Sequence, residues 1–340
     1  MSLHSRAPLR VDFTGGWSDF HRLADSDPAT AVNAAIKIYV HADILFVGGK
    51  TIRLHAEESR EHVTISSPGQ LVYDGRLDRH KAALNMLPLS VGIEILTRTE
   101  APPGSGLGAK AALDAALLSA LALGRMEEYD SDELVELGTM LEANELSLPV
   151  LRQDHYATVC GGFNELVFDE TEVAVRKVSL PQSTLADLER HLLLVYTGES
   201  HFSKQTHDRV VEAYCGGVKS VKGAVADIRS TGREVKSVLQ GGDWATLGQL
   251  FDRQWVSQQI LDAATTTPNV REIENAIREN GAWGVKPTGV GCGGCLLTVA
   301  PPEKMEAVRK AVLKLGVDTF DVAFEPDGCS VVQKEDEAVE

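Results

Sequence analysis

Apolar and polar positions along the chain follow two periods, and the switches between them mark out its elements. Residues 31–43 alternate in a strand-like way and are rich in β-branched side chains. Shorter runs at 51–55, 63–66 and 92–97 read as further strands, and residues 7–19 as a short strand entering a glycine turn with an acidic end. The period then changes: Leu113, Leu117, Leu118 and Leu121 fall on helical spacing and predict a helix buried on most sides. Ser131-Asp132-Glu133 has the form of a helix start, and that helix runs to about Glu145, with Pro149 ending it.

Strands return at 164–168 and 173–178, and residues 192–196 form an apolar run that stops at Thr197-Gly198. Helical patterns cover 204–240, 244–264 and 270–280. Two strand runs (284–287 and 295–300), a helix (302–315) and a last strand (318–324) follow. No internal repeat interrupts this order. A composition break near Leu180-Pro181-Gln182 divides the chain into domains 1–182 and 183–333, with an acidic tail at 334–340. The class is α+β.

Between the strand at 92–97 and the apolar helix lies Pro102-Pro103-Gly104-Ser105-Gly106-Leu107-Gly108-Ala109-Lys110. A glycine turn that opens a helix presents unpaired N–H groups at the positive end of the helix dipole, and such a place attracts phosphate. The same residues also suit a plain tight turn from strand to helix. Two other glycine stretches lie far away in sequence: Gly15-Gly16-Trp17-Ser18-Asp19, and Thr288-Gly289-Val290-Gly291-Cys292-Gly293-Gly294. A polar cluster, Arg152-Gln153-Asp154-His155-Tyr156, precedes the pair Gly161-Gly162. A phosphate loop, an acid after a turn and a distant glycine loop together suit a nucleotide site that meets a polar substrate.

Bulk properties narrow the classes. With 340 residues, 43% of them hydrophobic and 24% charged, the chain is long enough for two cores. A formal charge of −16 argues against nucleic-acid partners and anionic membranes, so a site for an anionic ligand must bring its own cations or a metal. No stretch has the length of a transmembrane helix and the N-terminus has no apolar signal core, which leads us to expect a cytoplasmic protein. Cys292 and Cys295 interrupt a glycine run, which favours small-residue packing over a metal site.

Taken together, Arg10 to Asp19, Pro102 to Leu113, Glu142 to Gly162, Leu192 to Gly198 and Lys286 to Gly294 resemble the GHMP family of small-molecule kinases, in family order over nearly the whole chain. The resemblance is closest to the branch with D-glycero-D-manno-heptose 7-phosphate kinase and L-fucokinase. It implies an S5-like N-terminal domain, a ferredoxin-like C-terminal domain and a site in the cleft between them. It implies ATP and Mg2+ as cofactors and a sugar or sugar phosphate as the small-molecule partner, and it leaves the oligomeric state open. The expected reaction is phosphorylation of a hydroxyl, the anomeric one, of a heptose 7-phosphate or related sugar. The alternatives are a fucokinase-like or other small-alcohol kinase, and a degenerate kinase that only binds nucleotide or sugar.

By the same resemblance, Pro103, Gly104, Ser105, Gly106, Leu107, Gly108, Ala109 and Lys110 wrap the nucleotide phosphates. Asp154 is the catalytic carboxylate, which accepts or aligns the proton of the attacking hydroxyl, unless local N–H groups satisfy it. Arg10 faces the transferred phosphate or makes a structural ion pair. Glu142 is the magnesium ligand or a solvated helix acid. Gly16, Trp17, Asp19, Tyr156, Gly289 and Gly291 are expected around the sugar, with Trp17 either against its ring or in the core.

The chain also departs from the family's pattern. The family continues Gly-Leu-Gly-Ser-Ser, whereas here Ala109-Lys110 follows Gly108, and a hydroxyl that usually touches magnesium or the phosphates is lost. Lys110 at a helix N-terminus reads as a point charge for a polyphosphate, or else as an outward surface lysine. Near Thr197-Gly198 the sugar-kinase branch places an Arg, and here His201 and Lys204 follow.

Overall fold

The structure is a computed structural model that describes residues 2–17, 29–148, 150, 152–168, 173–200 and 204–334. Asp19, Pro149, His201 and the tail residues 335–340 lie outside the described residues. Two sheets carry the chain. In the first, β1 (Ser2–Asp12), β2 (Ala29–Phe46), β3 (Ile52–Ala56), β4 (Glu61–Ile65) and β5 (Ile93–Thr99) take the order β1-β2-β5-β3-β4. Between β4 and β5 comes α1 (Asp78–Met86), a nine-residue helix that the apolar pattern does not announce.

The helix α2 (Ala109–Gly124) lies across this sheet, and its Leu117, Leu118 and Leu121 are fully buried with Ile44, Leu54 and Ile95 of the strands. Burying three such leucines removes roughly 5–9 kcal/mol worth of apolar surface from water, which fixes the helix and the loop before it. Next, α3 (Ser131–Met140) starts at Ser131 as the sequence suggested, behind an Asp130 capping box, and relaxes into a π-helical turn over Leu141–Glu145. Glu142 sits in that turn. Then α4 (Arg152–Cys160) carries Asp154 in its first turn, and β6 (Phe163–Phe168) and β7 (Val173–Lys177) complete the described strands of this half.

After α5 (Gln182–His191), the second sheet is built from β8 (Leu192–Ser200), β9 (Gly284–Pro287), β10 (Gly293–Val299) and β11 (Asp318–Asp321). Its order, β11-β8-β10-β9, is antiparallel throughout and has the split arrangement of a ferredoxin-like sheet. The helical stretch at 204–240 is two helices, α6 (Lys204–Cys215) and α7 (Lys219–Gly241), broken at the turn Gly216-Gly217. They are followed by α8 (Trp244–Leu261) and α9 (Pro268–Glu279), and α10 (Pro302–Leu313) lies between β10 and β11.

One strand crosses the domain boundary read from the sequence. The segment β12 (Ser330–Lys334) pairs antiparallel with Ser2 to Arg6 of β1, so the end assigned to the second domain and the first residue of the supposed tail belong to the first sheet. The two halves also share a core, in which Leu9 and Phe13 pack with Leu194, Phe251 and Leu297. No described helix is long and apolar enough to cross a membrane.

Candidate active site

Three glycine loops meet between the halves around a cavity of about 410 Å³. Gly104, Gly106 and Gly108 all have positive φ (68°, 73° and 79°), the last as the N-cap of α2, where no side chain caps the helix. Ala109, Lys110 and Ala111 line the cavity, so the uncapped N–H groups of the first turn open onto it. The loop is clamped from the second domain: Cys295 N donates to Ser105 O at 2.7 Å, and Thr288 Oγ1 to Gly106 O at 3.2 Å. Elsewhere the backbones almost touch. A Cβ on Gly16 would lie 2.8 Å from the carbonyl carbon of Gly289, and one on Gly294 would lie 2.8 Å from Ser105 O.

At the floor of this junction Arg10 joins the loop to Asp154. Its Nε donates to Asp154 Oδ1 at 2.8 Å, its Nη1 to Gly106 O at 2.6 Å, and its own backbone N to Leu107 O at 2.9 Å. Burial pushes the Asp154 carboxyl above its ordinary range, and the Arg10 guanidinium pulls against that shift. Arg10 is thus a positioning cation as well as a structural partner. Lys286 braces the same floor: its buried Nζ donates to Asp12 O at 2.6 Å and Pro287 O at 2.9 Å, and burial lowers its pKa to about 8 against the pull of Asp12.

The cavity is also lined by a charged cluster in which the sequence marked Glu142 but not Arg79 or Asp114. Arg79 of α1 donates through Nη1 to Asp114 and through Nη2 to Glu142 Oε1 at 2.7 Å, while His155 Nε2 lies 3.1 Å from Glu142 Oε2. Burial raises Asp114 to about 6 in spite of Arg79. Burial also works to raise Glu142, but the hydrogen bond from His155 and the charges of His155 and Arg79 hold it below its ordinary range. One guanidinium serves two acids, and the deeper acid is the one it compensates less.

Magnesium at Glu142, expected from the resemblance, does not fit this arrangement. Both carboxylate oxygens already accept hydrogen bonds, one of them from a guanidinium. A dication seated on that oxygen would have to displace the guanidinium, which also holds Asp114. Magnesium also tolerates little departure from its octahedron of oxygens.

The structure brings together most of the residues singled out in sequence. Arg10, Gly16, Gly104 to Lys110, Glu142, Asp154, Gly289 and Gly291 all line the cavity. Three others stand back from it. Trp17 is fully buried among Val210, Tyr214, Val225 and Ile228, and its Nε1 donates to Val290 O at 3.2 Å, so it is a core tryptophan and not a platform for a sugar ring. Its ring instead backs His207, which does line the cavity, at 6.5 Å and 9°. Tyr156 faces the core of the first sheet, and Pro103 contributes a carbonyl that accepts from Tyr196 at 2.8 Å. Arg79 and His207 are the lining residues that lie outside every motif read from the sequence.

Comparison with known proteins places this arrangement. Residues 76–162 match the GHMP kinases N terminal domain and residues 235–318 match GHMP kinases C terminal. The chain is 25% identical over 335 residues to the D-glycero-alpha-D-manno-heptose 7-phosphate kinase of Campylobacter jejuni, covering 96% of this chain and 98% of that one. It is 23% identical to the L-fucokinase/L-fucose-1-P guanylyltransferase of Bacteroides fragilis, over 90% of this chain but 35% of that longer protein. Among solved structures, a D-glycero-D-manno-heptose 1-phosphate kinase from Bacteroides thetaiotaomicron has a TM-score of 0.81 at 23% identity, covering 98% of this chain and 99% of that one. Lactococcus lactis galactokinase complexed with galactose has a TM-score of 0.77 at 17% identity, covering 97% and 95%. With both halves matched in order and a sugar kinase aligned end to end, the chain belongs to the GHMP kinase family and is itself a sugar kinase, a phosphotransferase with an alcohol group as acceptor.

Proposed function

We propose that the chain transfers the γ-phosphate of ATP to the anomeric hydroxyl of a heptose 7-phosphate or a closely related sugar. The observation that carries the reading is the Arg10–Asp154 pair set directly against Gly106 and Gly108 of the phosphate loop. Phosphoryl transfer needs a held acceptor hydroxyl in line with a held phosphate. The α2 N-terminus and its glycine turn bind the phosphates through backbone N–H groups, with Lys110 adding a charge at the rim. Asp154 accepts or aligns the hydroxyl proton, and Arg10 aims it and favours its ionised form against the effect of burial. The heptose preference is supported by the Campylobacter relative, which is matched along nearly all of its length.

A coupled ADP-release assay over heptoses, heptose phosphates and fucose tests the reading. Turnover is expected to be highest with a heptose 7-phosphate, and a chain that binds ATP but turns over none of these sugars would refute it. Asp154→Asn is expected to abolish turnover and leave nucleotide affinity unchanged; equal loss of both would remove Asp154 from the chemistry.

A further inference from the structure

Asp114, Glu142 and His155 bring three ligand atoms within 4.8 Å of one another, all three residues buried, a grouping with the composition of a divalent-metal site. The guanidinium of Arg79 bridges two of them, bonded to Asp114 on one side and to Glu142 on the other. The remaining oxygen of Glu142 accepts from His155. Two contacts use two of the five N–H donors of Arg79 in this network, and the side chain faces the same cavity as the phosphate loop. At the loop itself the positions where a serine hydroxyl would reach a metal or a phosphate are Ala109 and Lys110, and Lys110 is exposed on the cavity wall. Asp114 follows Lys110 by one helical turn and is wholly buried, with Arg79 its hydrogen-bond partner.

We propose that Arg79 fills the cation seat of this site: its guanidinium, shared by Asp114 and Glu142, takes the place of a divalent ion there, no magnesium ion binds at Glu142, and Lys110 is left as the charge that meets the nucleotide phosphates. The inference rests on the kinase reading above and adds the identity of the charge that meets the phosphates. A guanidinium suits this seat because its planar fork reaches both carboxylates and it never loses its charge.

Calorimetric titration with the non-hydrolysable analogue AMP-PNP, in EDTA and then in excess Mg2+, tests it. The wild-type chain is expected to bind in EDTA within about threefold of its affinity in Mg2+. Arg79→Gln, which empties the seat, is expected to bind at least about tenfold more tightly in Mg2+ than in EDTA. Lys110→Ala, an exposed change that does not threaten folding, is expected to lose more than tenfold in EDTA. A second readout uses Mn2+ alone, followed by its paramagnetic resonance. The wild-type chain is expected to leave Mn2+ free, and the single variant Arg79→Gln, which opens the Asp114–Glu142–His155 set, to bind one ion. Wild-type binding of AMP-PNP only with Mg2+, or of Mn2+ by the wild-type chain, overturns the inference and leaves the kinase reading standing. Failure to bind AMP-PNP under either condition overturns both.

Discussion

Gly108→Ala separates the shape of the phosphate loop from the placement of the catalytic pair. Gly108 has φ +79°, so any side chain there pays the left-handed penalty of about 1–2 kcal/mol. Its Cβ would also lie 3.2 Å from Arg10 Cγ and 3.6 Å from Asp154 Cγ, pressing on both members of the pair. Gly106→Ala is the matched control. It has φ +73°, but its Cβ would meet only Thr288 Oγ1 at 3.5 Å, an ordinary contact. Both variants should therefore lose about 1–2 kcal/mol in urea unfolding. Only Gly108→Ala should move the reacting groups, and a displacement on the order of 1 Å there costs about 100-fold in kcat. The assay is steady-state ADP release at saturating ATP and sugar, with each kcat set against the unfolding midpoint. Equal losses of kcat in the two variants, or undiminished turnover in Gly108→Ala, would refute the argument that this glycine is required by the Arg10–Asp154 pair.

Other expectations follow from the same contacts. Lys110→Ala should weaken ATP binding by about 1.5–3 kcal/mol, the value of a charge-assisted contact, in a calorimetric titration; unchanged affinity would make Lys110 a surface lysine. Asp114 is a raised carboxyl at about 6, so its favourable contribution is complete below its unfolded pKa and is lost as pH rises through about 6. Relative to Asp114→Asn, the wild-type chain should lose about 2 kcal/mol of stability between pH 4 and pH 7, measured by denaturant unfolding; parallel pH curves would contradict the burial argument. Trp17→Ala should cost about 3–5 kcal/mol of stability through the cavity left among α6, α7 and α8, without the selective rise in sugar KM that a ring platform would show.

The elements legible in the sequence were those whose signal is local. Gly104, Gly106 and Gly108 announce a phosphate turn because only glycine adopts those dihedrals at no cost, and the leucines of α2 announce the sheet behind it. Arg79 gave no such sign. It sits on a nine-residue helix of weak amphipathicity, and its role comes from a partner 35 residues away. The clue was on the other side of the pair: Asp114 lies in the middle of a helix of alanines and leucines, and a fully buried carboxylate demands a cation nearby. Trp17 was ambiguous because an indole beside a glycine turn suits a sugar face and a core equally; the packing of α6, α7 and α8 over it decides the matter. The strand β12 was invisible for a similar reason, since its five residues carry little apolar signal and are ordered by β1 at the far end of the sequence.

That strand has a consequence for how the protein is made. Residues 2–182 contain most of the first sheet, yet its outer strand arrives only with Ser330 to Lys334. During synthesis the nascent first half must wait, with the N–H and C=O groups of Ser2 to Arg6 unpaired on one side, until the second half has been translated. The two halves are therefore not separable pieces: a fragment cut near residue 182 would expose a bare sheet edge and self-associate, and the missing segment supplied as a peptide in trans would silence that edge.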